Sequence, residues 1–148
     1  MNLVKFLILA KINTYASNGE GGEEVLSDGS KEFEFEEKEF KYRDRYFGSN
    51  PFIGEEIVWS GEDRIWGMNY YGAVSSEEVS EEEIYEFLKK AMRRVSEKRP
   101  FRGPDNFKEG DFEYIDKSNG DIKMFSGVEK IFFKGKEIYR LYYHGGCL

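Results

Sequence analysis

The sequence predicts an α+β fold: two α-β4 units whose strands build a curved antiparallel sheet, with two helices on one face. Three observations predict it. Apolar residues recur at helical spacing in two segments, near residues 2–16 and 80–95. After each segment, aromatic and charged residues alternate with strand period, most densely over residues 41–72. Several words of the first half then return in the same order in the second.

Asn2 caps the first helix, which is expected to run to about Ala16. Leu3, Phe6, Leu7 and Ala10 form one stripe, widened by Val4, Ile8 and Ile12, so the helix should be mostly buried. Lys5 interrupts this apolar run and Lys11 ends it. The run is too short to span a bilayer and lacks the cleavage site of a signal peptide. Residues 17–30 are rich in Gly, Glu and Ser, without periodicity, and read as a mobile surface loop. Phe33 and Phe35 alternate with Glu34 and Glu36, and a tight turn at Glu37 and Lys38 leads into a strand over residues 39–47. Asn50-Pro51 belongs to the turn that closes that strand. Residues 52–59 and 64–71 form a hairpin around Ser60-Gly61-Glu62-Asp63.

Ser80 and Glu83 match a capping box ahead of Ile84, Phe87, Leu88, Ala91, Met92 and Val95, which repeat at helical spacing. Arg93, Arg94 and Lys98 sit where the helix dipole favours cations, and Pro100 stops continuation. Residues 99–110 read as an irregular Pro/Gly-rich connection. Residues 111–116 and 121–125 flank Asn119-Gly120, a strong hairpin signal. Residues 129–133 and 136–144 flank Lys134-Gly135.

The repeated words imply an internal duplication within one domain, residues 1–148, with halves of roughly 1–74 and 75–148. Phe6-Leu7 with Ala10 matches Phe87-Leu88 with Ala91. Phe33-Glu34-Phe35 matches Phe112-Glu113-Tyr114. Phe52, Gly54 and Glu56 match Phe125, Gly127 and Glu129. Trp66, Met68, Tyr70 and Gly72 match Tyr139, Leu141, Tyr143 and Gly145. Side chains alternate across a strand. Trp66, Met68 and Tyr70, like Tyr139, Leu141 and Tyr143, should therefore pack on the helices. Gly67, Asn69, Tyr71, Arg140, Tyr142 and His144 should face the other way, where a ligand or partner could bind.

A net charge of −7 argues against a nucleic-acid partner. Cys147 is the single cysteine, so an intramolecular disulfide is impossible, no cysteine-rich metal site can form, and a reducing cytoplasmic setting fits. The chain has no Gln, one Thr, and abundant Glu and Lys, a bias common in proteins of hot environments. Nucleotide-binding glycine loops and diagnostic metal-ligand spacings are absent, so no cofactor or metal is expected.

Asp44 shares its face with Phe40, Tyr42 and Tyr46, while Arg43 and Arg45 point away. A carboxylate there must be paired or functional, because an unpaired buried charge is costly. Glu56 and Glu129, at matched places, could do acid–base work, though pinning a glycine turn is the preferred reading. His144, the only histidine, is the default acid–base residue. Arg102, with Arg43, Arg45 and Arg140, could recognise an anion, or all four could pair with glutamates.

The words at 42–48, 52–59, 66–72, 102–104 and 143–146, with Phe6-Leu7 through Ala16, resemble an uncharacterised prokaryotic domain family that also occurs behind repressor-like helix-turn-helix segments in bacteria. The resemblance covers nearly the whole chain. It implies an effector or sensor role rather than DNA contact, and supplies no catalytic residues.

The first expectation is therefore a non-catalytic binding or sensor domain for a small polar or anionic ligand, through Tyr42, Arg43, Asp44, Glu56, Asn69, Tyr71, Arg102, Arg140, Tyr142 and His144. A second is a small enzyme using His144 with Asp44 or Glu56. A third is a homodimeric interaction module that uses its aromatic strands as a seam. No membrane partner is expected.

Overall fold

The computed structural model describes residues 1–17 and 22–148. Helix α1 spans Leu3–Asn13. Four strands follow a two-residue edge strand: β1 Glu24–Val25, then β2 Lys31–Glu37, β3 Phe40–Gly48, β4 Phe52–Ser60 and β5 Asp63–Val74. Helix α2, Glu81–Met92, precedes β6 Asn106–Glu109, β7 Phe112–Asp121, β8 Met124–Phe133 and β9 Lys136–Cys147. The strands form one nine-stranded sheet in the order β1-β2-β3-β4-β5-β9-β8-β7-β6. Every neighbouring pair is antiparallel. Strand joins β5 and β9 thus bring the two ends of the strand succession together at the middle of the sheet.

Asn2 caps α1 by accepting the Lys5 amide at 3.0 Å, and Ser80 caps α2 by accepting the Glu83 amide at 3.2 Å. α1 ends sooner than expected: Thr14 turns its hydroxyl back to the Ala10 carbonyl at 2.7 Å, and residues 14–16 continue as turns. Phe6 stacks on Phe40 and meets Phe35 at a tilt, fixing α1 over the first half of the sheet. Phe87 stacks on Phe107 and Phe112, fixing α2 over the second. Between helices and sheet lies a single aromatic-rich core that includes Trp66, Met68, Tyr70, Tyr139, Leu141 and Tyr143. The opposite face carries Asn69, Tyr71, Tyr142 and His144, all exposed. The face assignment from alternation therefore holds.

Three expectations about elements need correction. Residues 24–25 of the expected loop pair with Lys31 and Glu32 as β1; residues 18–21 lie outside the described residues. The expected irregular segment contains β6, which turns back on β7 through Gly110 and Asp111. Asn119-Gly120 is not the hairpin turn. Gly120 does take a left-handed backbone, φ +87°, but it still pairs with Phe125, and the chain reverses at Ile122 and Lys123. Asp121 fixes that turn by accepting the Lys123 amide at 2.9 Å. β8 then runs unbroken through Gly127.

The strand order also re-sorts one matched pair of words. Phe33–Phe35 lie on β2 and Phe112–Tyr114 on β7, which stand at different distances from the central pair. The words on β4 and β8, and those on β5 and β9, occupy matching places either side of the centre.

Candidate functional site

Two buried polar constellations lie beneath the helices. In the first, Asp44 on β3 is opposite Glu56 on β4, and Tyr70 on β5 donates its hydroxyl to Asp44 Oδ1 at 2.5 Å. Lys11 of α1 reaches down to Glu56, Nζ to Oε2 2.5 Å, with both side chains 1% exposed. In the second, Asp116 on β7 is opposite Glu129 on β8, and Tyr143 on β9 donates to Asp116 at 2.8 Å. Glu129 is fully buried and accepts from Tyr114 at 2.5 Å, Tyr139 at 2.8 Å, and Arg102 through Nε at 3.2 Å and Nη2 at 2.9 Å. The bidentate guanidinium and the two phenols fill the carboxylate's acceptor sites. Arg99 approaches Asp116 Oδ2 to 3.3 Å, an ion-pair distance without hydrogen-bond geometry.

Two glycines make room for these tyrosines. A Cβ on Gly54 would lie 2.3 Å from the Tyr70 hydroxyl oxygen, and one on Gly127 would lie 2.1 Å from Tyr143 Cζ. The glycines were expected to mark turns pinned by Glu56 and Glu129. They instead sit mid-strand under tyrosine rings, and both glutamates are engaged with cations.

Burial sets the protonation of the aspartates. Removal from water, then the neighbouring Glu56, pushes Asp44 up to about 7, against the opposing pull of Tyr70, Lys11 and Arg102. The same two causes, burial and then Glu129, raise Asp116 to about 6. Burial lowers Lys11 despite Glu56 beside it. No side chain among the described residues forms an ion pair with Asp44, although Lys11 and Arg102 are near enough to act on it.

Asp44 and Arg102, each 3% exposed, line the floor of a pocket of about 370 Å³. Thr14 and Tyr15 after α1, Tyr85 and Lys89 of α2, and residues of β2–β5 complete it. Its walls include Phe33, Tyr46, Phe52 and Tyr70. Lys89 lies over the Tyr15 ring at 6.0 Å and Lys31 over the Tyr46 ring at 5.8 Å. The Tyr46 hydroxyl donates to Glu23, and that of Tyr85 to the Ser49 carbonyl.

The expected site residues divide between the two faces of the sheet. Tyr42, Asp44, Glu56 and Arg102 are buried beneath the helices. Arg43, Asn69, Tyr71, Arg140, Tyr142 and His144 lie on the opposite face, and all of these except Arg140 line a shallower hollow of about 650 Å³. Arg43 and Arg45 share Glu32, and Arg140 binds Glu137 at 2.7 Å. All four candidate arginines are thus glutamate partners. His144 pairs across the sheet with Asn69, on the face away from Asp44 and Glu56, so the sheet itself separates these acid–base candidates. Among the described residues, no three His, Cys, Asp or Glu side chains gather as a metal site. Among the described residues, no helix is long and apolar enough to cross a membrane.

Reading by strand pattern missed Lys11, Tyr70 and Asp116 as members of the site. One signal was present: Tyr42-Arg43-Asp44 and Tyr114-Ile115-Asp116 repeat the word Tyr-x-Asp.

A family model described as "Domain of unknown function (DUF5680)" matches residues 44–148. The matched region holds both tyrosine–aspartate pairs and Arg102, and leaves out α1 with Lys11. No curated protein and no solved structure matches the chain.

Proposed function

From a chain that belongs to the DUF5680 family, whose description assigns no activity, we propose a single-domain, non-catalytic binding or sensor module for a small polar ligand. The ligand occupies the pocket between the two helices and the first half of the sheet. One observation carries the reading. Glu56, Glu129 and Asp116 each have a cation at ion-pair distance, whereas Asp44, equally buried, has none among the described residues and lines a pocket of ligand size. A buried carboxyl kept without a partner is costly, and pockets are where such groups have use. Tyrosine and phenylalanine walls supply apolar contact, and Lys31 and Lys89 can meet an anionic end of the ligand. The two halves read as duplicated copies: both tyrosine–aspartate pairs and the words on β4, β8, β5 and β9 support this. Their mismatch, a pocket at Asp44 and an arginine at Asp116, supports a ligand site in the first copy alone.

A thermal-shift screen of small metabolites, followed by amide NMR shifts for each hit, tests the reading. Shifts around Thr14, Tyr46 and Tyr85 are expected. Shifts confined to Tyr71, Tyr142 and His144, or no hit at all, remove it. A second reading is association of two copies through the helix-free face. Phe47, Ile53, Tyr71 and Tyr142 there are 46%, 54%, 47% and 51% exposed, more than scattered surface aromatics require. Light scattering that shows a monomer at high concentration disposes of it.

A further inference from the structure

We infer that the pocket takes an organic cation, a small amine on an apolar body, whose ammonium group docks against Asp44. The inference rests on the pocket being a ligand site and names the chemistry of its occupant. The buried acids give the first reason. Lys11 is committed to Glu56 at 2.5 Å, and the Arg102 guanidinium to both oxygens of Glu129. Neither forms an ion pair with Asp44. The three cations Lys11, Arg102 and Arg99 therefore face four acids: Asp44, Glu56, Asp116 and Glu129. Asp44 is the acid left without a cationic partner, and when it ionises that partner belongs there.

The second reason is the comparison with Asp116. Both aspartates stand opposite a glutamate and accept a tyrosine hydroxyl. At Asp116 a guanidinium completes the environment, 3.3 Å away; at Asp44 the corresponding neighbour is pocket space. The walls are the third reason. Phe52 lines the pocket with the carboxyl, together with Tyr70 and Tyr46, whose rings Arg102 and Lys31 already approach at 5.6 and 5.8 Å, and a carboxylate with aromatic faces is an arrangement that binds ammonium groups. An anion at that depth would meet the Asp44 carboxyl, and the one cation beside it, Arg102, is already held by Glu129. Lys31, over the Tyr46 ring, and Lys89, paired at 3.6 Å with Glu86, can turn to a second, anionic end.

Three probes with one ring and a similar chain test the charge: 2-phenylethylamine, 2-phenylethanol and 3-phenylpropanoate. Titrated into the full chain near pH 8, the amine is expected to bind about tenfold tighter than the alcohol, as a buried charge-assisted bond should. The propanoate should bind weakest. Asp44→Asn keeps an acceptor for Tyr70 and should abolish the amine's advantage without changing the alcohol. The wild-type chain gives an arm independent of that variant. The groups facing Asp44 are Tyr70, Tyr42, Glu56, Lys11 and Arg102. Asp44 ionises at about 7, so amine binding should weaken from pH 8 to pH 5 and release protons near pH 7. Equal affinity for amine and alcohol, preference for the propanoate, or an amine affinity unmoved in Asp44→Asn overturns the inference and leaves the pocket reading standing. Binding by none of the three also overturns it, and the metabolite screen then decides the pocket reading separately.

Discussion

Tyr70 and Tyr143 are cross-strand partners at the centre of the sheet, and their hydroxyls reach outward in opposite directions, to Asp44 at 2.5 Å and Asp116 at 2.8 Å. Each aspartate lies two strands from its tyrosine, so each side chain must cross an intervening strand. Tyr70 crosses β4 over Gly54, and Tyr143 crosses β8 over Gly127. The sheet thereby holds two polar centres at fixed depth under the helices, one sealed by arginine and one bordering a pocket.

Gly54→Ala and Gly127→Ala should each destabilise the chain, because the new methyl would fall 2.3 Å from Tyr70 Oη or 2.1 Å from Tyr143 Cζ. The contact is with a ring held in the core, which cannot swing aside cheaply. Overpacking of this kind costs about 1–3 kcal/mol. Urea denaturation followed by tryptophan fluorescence measures it; a loss under about 0.5 kcal/mol, the scale of a neutral surface change, would show that the rings move freely.

Stability should fall as pH rises through neutrality. Asp44 and Asp116 have folded-state values of about 7 and about 6, above the ordinary 3.8. Between 3.8 and those values the native state holds protons that the unfolded chain has released, so the slope of stability against pH is negative. Their contribution is full below the unfolded value and is lost as pH passes through about 6 for Asp116 and about 7 for Asp44. Asn cannot ionise. Wild type should therefore lose stability relative to Asp44→Asn between about pH 5 and pH 8, measured by denaturation at each pH. Parallel curves would mean that Asp44 titrates normally.

The elements were legible because alternation and helical spacing are local. Phe6, Leu7 and Ala10, or Trp66, Met68 and Tyr70, declare their buried face within a few residues. The misplaced turn at Asn119-Gly120 shows the limit: Gly120 has the expected backbone, yet Asp121 caps the reversal one step later. Asp44 stood out as a carboxylate on an aromatic face. Its partners did not, because Lys11–Glu56 and Arg102–Glu129 join residues 45 and 27 positions apart. Such pairs depend on which strands become neighbours and where each helix lies. His144 attracted attention by its chemistry alone and sits on the other face from Asp44, Glu56, Asp116 and Glu129.

Glu129→Gln should be the most damaging single change among the polar residues. It leaves the Arg102 guanidinium, 3% exposed, without a counter-charge, and one new amide N–H faces donors already supplied by Tyr114 and Tyr139. Removing one partner of a buried pair costs about 3–5 kcal/mol. Arg140→Ala, which breaks a half-buried pair with Glu137 and a hydrogen bond to the exposed Tyr142 hydroxyl, should cost under about 1 kcal/mol. Equal losses in chemical denaturation would mean that Arg102 finds water or another acid.

Lys11 and Glu56 give the converse case. Lys11→Met alone strands a carboxylate that is 1% exposed, beside Asp44, and should cost about 3–5 kcal/mol unless Glu56 takes up a proton. Lys11→Met with Glu56→Leu removes both charges at similar volume. The double variant should recover most of that loss, since hydrophobic replacement of a buried pair is often neutral or stabilising. It also takes away the carboxylate that, after burial, most raises Asp44. Asp44 should then ionise at lower pH, and the midpoint of the pH-dependent stability should move down with it. A double-mutant cycle measured at two pH values reads both effects. An unchanged midpoint would show that losing Lys11, which holds Asp44 down, fully offsets losing Glu56, which raises it.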